Sequence, residues 1–213
     1  MLKRLGYDPD ATTADMDEWN HFLDKLHNAK EEVRVALVGK YVALQDAYKS
    51  IHESLAHAAA YNDRKLKLDM FLSDDITEEN VAEKLQGYEG ILIAPGFGER
   101  GVEGKIVAAH YARVNNVPTL GICFGMQVMA IEFARNVLGY KDAHTAEINP
   151  NTQHKVIDMM EEQKTVLEKG GSMRLGGYSC KLRDGSKARE IYGTELIRER
   201  HRHRFEFNHG FES

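Results

Sequence analysis

Val117-Pro118-Thr119-Leu120-Gly121-Ile122-Cys123-Phe124-Gly125-Met126-Gln127 decides how this chain folds. An apolar run from Val117 to Ile122 ends in a cysteine bracketed by Gly121 and Gly125. Met126, Val128, Met129, Ile131, Phe133 and Ala134 then open an amphipathic pattern. The reading is strand, tight turn, helix. A nucleophile elbow needs this grammar, because the reactive atom must stand clear of the sheet while the backbone bends sharply, and only small neighbours leave it room. Cys123 falls at the N-terminus of the helix, whose positive end favours the thiolate, the attacking species. A buried structural cysteine is the alternative. Glycines on both sides at a strand-to-helix corner favour the nucleophile.

Upstream of the elbow, strand and helix patterns alternate. Strands are expected over 33–38, 66–72, 90–94 and 117–122, and helices over 47–61, 77–85 and 102–114. Leu66, Leu68, Met70 and Leu72 are expected on one face of their strand. Four βα units in a row imply an α/β fold with a flavodoxin-like, doubly wound, mostly parallel sheet covered on both faces. Ligands on such sheets bind at the carboxyl ends of the strands, where Gly39, Pro95-Gly96 and Cys123 fall. After Leu138 the rhythm breaks. Residues 142–155 read as a loop, 156–160 and 179–182 as strand pieces, and Gly170-Gly171 and Gly176-Gly177 as turns. Residues 1–32 are polar, with Trp19, Phe22 and Leu26 at helical spacing, and read as a linker ending in a short docking helix. Residues 33–213 form the main domain.

A length of 213 residues at 42% hydrophobic and 29% charged composition suits one main domain. Two cysteines, Cys123 and Cys180, are too few for a disulfide framework and lie in what look like interior strand ends, so a reducing, cytoplasmic setting is expected. No stretch approaches the length that crosses a bilayer, so no membrane association is expected. The formal net charge of −5 argues against nucleic-acid binding. Arg198 to Arg204 is locally basic, yet read as one strand it sends arginines and Glu206 to one face and His201, His203, Phe205 and Phe207 to the other. That suits a site wall and a core better than an open basic patch.

Acyl chemistry at Cys123 requires two preorganised N–H donors aimed at the developing oxyanion. Elbow geometry supplies the backbone N–H of Phe124, and Gly96, in the low-bulk turn after the 90–94 strand, is placed to supply the other. A phosphate-binding turn is the competing reading, but Gly96-Phe97-Gly98-Glu99-Arg100-Gly101 breaks the dinucleotide fingerprint. No P-loop is present, since Gly39-Lys40 lacks the preceding glycine spacing.

Gly121-Ile-Cys123-Phe-Gly125-Met-Gln127 resembles the nucleophile motif of class I glutamine amidotransferases. Val38-Gly39-Lys40-Tyr41, Asp46-Ala47-Tyr48-Lys49-Ser50, the run from Gly96 to Lys105, Gly171-Ser172-Met173-Arg174-Leu175-Gly176 and Glu199 to Arg204 resemble, in that order, the CTP synthase family. The resemblance runs from about Val33 to Arg204. It implies the class I amidotransferase fold and hydrolysis of L-glutamine through a cysteine thioester, with ammonia passed on for UTP-to-CTP conversion in pyrimidine nucleotide biosynthesis. It places Cys123 as nucleophile and Gly96 and Phe124 as oxyanion donors, and it matches Gln127, Glu147 and Arg204 to glutamine-holding positions. A guanidinium suits an α-carboxylate and a carboxylate an α-ammonium. The family usually carries leucine at the position of Phe124, a change that a backbone donor tolerates, although the ring could narrow the pocket. No metal or cofactor is implied for this domain. ATP and Mg belong to a synthase domain as partner, GTP is tied as allosteric activator to the loops near Gly98 to Lys105, the lid between Glu161 and Gly170 is short, and the full-length enzyme is expected as a homo-oligomeric tetramer. The Trp19 segment resembles the end of the linker between the two domains.

In the family, base and acid come from a His-Pro-Glu segment downstream of the Arg-His-Arg-His-Arg run, and the expectation is a chain incomplete at its C-terminus that does not turn over glutamine. His203 and Glu206, like His209 and Glu212, are three apart and fall on opposite faces of a strand, unlike a His-x-Glu pair. A non-catalytic remnant acting as an interaction module is the rival reading.

Overall fold

A computed structural model of the chain describes residues 2–8, 14–44, 46–160, 163, 176–201 and 203–211. A short 3-10 turn at Leu2–Leu5 comes first, and helix α1 (Asp17–Asn28) follows. The chain continues through strand β1 (Glu31–Gly39), α2 (Lys49–Tyr61), β2 (Arg64–Leu72), α3 (Val81–Leu85), β3 (Gly90–Ile93), α4 (Val102–Val114), β4 (Thr119–Gly121) and α5 (Phe124–Asn136). The four strands form one parallel sheet in the order β2-β1-β3-β4. Its crossovers are helical, as parallel pairing demands.

Period-two alternation explains how the sheet is covered. Ala36 and Val38 of β1 and Ile91 and Ile93 of β3 face a core built with Val81 and Leu85 of α3, Val102 and Ile106 of α4, and Val128 and Ile131 of α5. Leu37, Leu92 and Ala94 point the other way, onto Tyr48 and onto Ile51 and Leu55 of α2. Burial on both faces is why β3 is apolar from Ile91 to Ile93. Helix α1 lies outside α2, with Trp19 against Phe22 and Phe22 edge-on to His57.

Beyond α5 come β5 (His144–Thr145), β6 (Lys155–Met159), β7 (Gly176–Lys181), α6 (Lys187–Tyr192), β8 (Leu196–His201) and β9 (Phe205–Phe207). β6 pairs in parallel with β5 and antiparallel with β9, and β7 and β8 form a separate antiparallel ribbon. Among the described residues no helix is long and apolar enough to cross a membrane.

Several expectations need correction. The helix expected over 77–85 is only α3, because the Thr77 N–H donates to Asn80 Oδ1 and Asn80 Nδ2 donates to Asp75 O, a local side-chain turn that competes with the helix. The segment 142–155 is not all loop, as it contains β5. Gly176 and Gly177 are not a turn but the start of β7. Cys180 is no interior residue: it is exposed on the two-stranded ribbon. Residues 198–207 are not one strand but parts of β8 and β9 in different sheets, so their alternation does not carry across. The expectations on 161–162, 164–175, Arg202 and Glu212 lie outside the described residues.

Candidate active site

β3 and β4 run in parallel, Ile93 beside Gly121, and the Ile122 N–H donates to Ile93 O at 3.1 Å. Both chains therefore leave the sheet at the same end. That brings the turn after β3, which holds Gly96, alongside Cys123. The cysteine has φ 57 and ψ −114, a left-handed conformation rare for a residue with a side chain. Such a conformation persists where the surroundings over-determine it, and here they do. The Gly125 N–H donates to Ile122 O and the Met126 N–H to Cys123 O, closing the turn directly into α5. A β-carbon on Gly125 would sit 2.0 Å from Ile93 O, and one on Gly121 2.6 Å from the Gly125 carbonyl carbon. Both glycines are required by close approach of backbone to backbone.

Cys123 is half-buried. Phe124 is the first residue of α5, so its N–H has no intrahelical acceptor. Its ring is 3% exposed and lies beneath two ammonium groups, with Lys40 Nζ 5.7 Å and Lys105 Nζ 5.5 Å from its centre. The ring thus occupies the floor of the site.

Gln127, one turn into α5, is buried and donates from Nε2 to Phe205 O at 3.3 Å, while its Oε1 is buried without a partner. Arg204, the residue before β9, directs Nε to Gln163 Oε1 and Nη2 to Gln163 O, with Nη2 3.9 Å from Met159 Sδ. Gln127 and Arg204 are therefore neighbours through the Phe205 backbone. Glu147, on the exposed loop after β5, exerts a favourable field on the Lys40 ammonium. Lys40 thus joins the Gly96 turn to the field of Glu147, while Gln127, one turn beyond Cys123, sits beside Arg204. His203 lies with its ring 5.2 Å from that of His201, and His209 is exposed in a single 3-10 turn.

The two lysines were not singled out from the sequence as site residues. Lys105 is wholly buried in α4 between the inward residues Val102 and Ile106, and donates to Ala94 O at 2.6 Å and Pro95 O at 3.3 Å. Burial, and then the charge of Lys40, bring its pKa down to about 8, while Cys123 acts in the opposite sense. Lys40 follows β1 and donates to Phe97 O at 2.5 Å and Gly98 O at 2.6 Å. Its pKa is also lowered, by burial and then by Arg100, against the pull of Asp74 and Glu147. A charged residue on an otherwise apolar helical stripe was the available signal for Lys105.

The family model "Glutamine amidotransferase class-I" matches residues 43–213. The chain is 64% identical over 208 residues to a CTP synthase of Porphyromonas gingivalis, covering 98% of this chain and 38% of that protein. It is 54% identical over 198 residues to the CTP synthase of Bacillus subtilis, covering 93% and 37%. The chain thus spans under two fifths of the length of these relatives. Among solved structures, the glutaminase domain of Trypanosoma brucei CTPS with bound acivicin superposes with a TM-score of 0.78 at 34% identity, over 84% of this chain and 70% of that one. With the strained cysteine at the strand-to-helix corner and the match over residues 43–213, the chain belongs to the class-I glutamine amidotransferase family.

Proposed function

We propose that the chain is the glutamine-hydrolysing unit of a CTP synthase, with Cys123 as nucleophile. The observation that carries this reading is the positive-φ cysteine at the head of α5 beside the Gly96 turn. The thiolate adds to the side-chain amide carbon of L-glutamine, and the electron pair of the C=O bond moves to oxygen. The N–H groups of Phe124 and Gly96 stabilise that oxyanion. Collapse expels ammonia and leaves a glutamyl thioester, which water hydrolyses to glutamate and free thiol. Glu147 meets the α-ammonium of the substrate, Arg204 its α-carboxylate, and Gln127 completes the wall. The general base is assigned to neither His203 nor His209; a histidine oriented by a carboxylate fills that role. Ammonia then passes to a synthase domain that activates UTP with ATP and Mg, GTP acts as activator near Gly98 to Lys105, and the full-length protein is a cytoplasmic homo-oligomer.

The test is ammonia release from glutamine by the full-length protein. Cys123→Ser is expected to lower it on the order of 10³-fold or more, whereas the exposed Cys180→Ser stays within about twofold. Near-normal release by Cys123→Ser would remove the nucleophile from this reading. Acivicin, bound in the Trypanosoma brucei relative, is expected to label Cys123 and not Cys180, with free glutamine protecting.

A further inference from the structure

The turn that follows β3 is held by two buried cations. Of the five backbone carbonyls from Ala94 to Gly98, four accept from lysine ammonium groups: Ala94 and Pro95 from Lys105, Phe97 and Gly98 from Lys40. Only the carbonyl of Gly96 lies outside this clamp. Gly96 itself sits between the two side chains, and a β-carbon there would meet Lys105 Nζ at 3.5 Å and Lys40 Cδ at 3.5 Å. The cations come from different elements, Lys40 from the end of β1 and Lys105 from inside α4, and both rest over the Phe124 ring. Burying two like charges side by side is costly. A neutral turn needs no such arrangement for stability alone.

A peptide unit is planar and trans, so its C=O and N–H point in opposite directions. Capture of the Pro95 carbonyl by Lys105 turns the N–H of Gly96 away from the buried ammonium pair, and Lys40 prevents the peptide from flipping by holding the next two carbonyls on the far side of Gly96. We propose that Lys40 and Lys105 are positioning residues that lock the Pro95–Gly96 peptide with its N–H directed at the oxyanion formed on Cys123. This rests on the glutaminase reading above and adds to it the device that preforms the second oxyanion donor. Loss of the clamp lets the peptide rotate and present a carbonyl to the developing negative charge.

The experiment compares full-length wild type with Lys40→Met and Lys105→Met, which keep apolar stems and lose the donors, and with Lys40→Arg, which retains them. Loss of one oxyanion donor lowers kcat by about 10² to 10³. Each methionine variant is therefore expected to lower kcat for glutamine at least about 10-fold with KM within about threefold. Glutamate γ-semialdehyde, whose thiohemiacetal carries the oxyanion, is expected to bind more weakly by a similar factor. Alkylation of Cys123 by iodoacetamide, which forms no oxyanion, should stay within about threefold, and Lys40→Arg should recover most of kcat. Methionine variants with wild-type kcat and aldehyde affinity overturn the clamp, as does a loss of kcat matched by an equal loss of alkylation rate, which would mean action on the thiol. If Lys105→Met does not melt cooperatively, Lys40→Met and Lys40→Arg decide the question alone. Absence of Cys123-dependent hydrolysis in wild type would overturn both the glutaminase reading and the clamp, whereas a normal wild type beside unaffected lysine variants overturns only the clamp.

Discussion

Lys105 is a cation with no exposure to water, and its chemistry makes stability depend on pH. Its pKa in the fold, about 8, lies below the ordinary lysine value near 10.4. Between those values the unfolded chain holds a proton that the folded chain has released, so stability rises with pH through that window. Urea unfolding of wild type and Lys105→Met at about pH 7 and about pH 10 should show the difference moving in favour of wild type by up to ~3 kcal/mol. Tyr88, whose pKa is raised by burial and by Asp69, titrates in both proteins and cancels. An unchanging difference would contradict a buried ammonium. Cys123 is the opposite kind of residue, marked in the sequence by its neighbours and in the structure by its backbone, where φ 57 places the strain at the strand-to-helix corner.

Among the elements, the β4-to-α5 corner and the α4–α5 contact are the joints that hold the site. Gly125→Ala forces a β-carbon into Ile93 O and should cost about 3 kcal/mol or more, whereas Gly139→Ala, at positive φ but in open space, should cost only about 1 kcal/mol. Equal urea midpoints for the two variants would refute the close-approach account. Helices α4 and α5 are joined by Glu132, a nearly buried carboxylate that accepts two hydrogen bonds from Arg113 Nε and one from Arg113 Nη2, one from Asn136 and a contact from His110 Nδ1. Burial alone would raise the Glu132 pKa, and the bonds from Arg113, His110 and Asn136 outweigh it, so the net shift is downward. A lowered carboxylate contributes stability above its unfolded pKa and loses it as pH falls through the folded value. Glu132→Gln is expected to be about 2 kcal/mol less stable than wild type near neutrality. That gap should narrow on acidification below about pH 4, as followed by urea melts.

At the scale of the whole molecule, α1 stands apart from the sheet core. The single tryptophan, Trp19, is half exposed and packs against Phe22 within α1. Phe22→Ala should shift tryptophan emission to longer wavelength while moving the urea midpoint seen by circular dichroism by no more than ~1 kcal/mol of stability. A large loss by both probes would make α1 integral to the core. This separation bears on what was legible. Strands β1 and β3 and helices α4 and α5 were readable because periodicity is local and their buried faces repeat at two or 3.6 residues. Cys123, Gly121 and Gly125 were readable because a sharp corner admits few residue types. The region after Leu138 was read poorly: β8 and β9 look like one alternating strand from Arg198 to Phe207, and only their pairing, with β7 and with β6, divides them. The exposure of Cys180 has the same origin, since a two-stranded ribbon leaves positions open that a full sheet would bury. By itself, then, the sequence determined the βα alternation, the strand-to-helix corner at Cys123 and the family to which the chain belongs, all properties of short stretches. The tertiary structure alone decided that Lys40 and Lys105, 65 residues apart in the chain, converge on the carbonyls around Gly96. Parallel pairing of β1, β3 and β4 carries their ends to one edge, and no local pattern encodes which distant donors meet there.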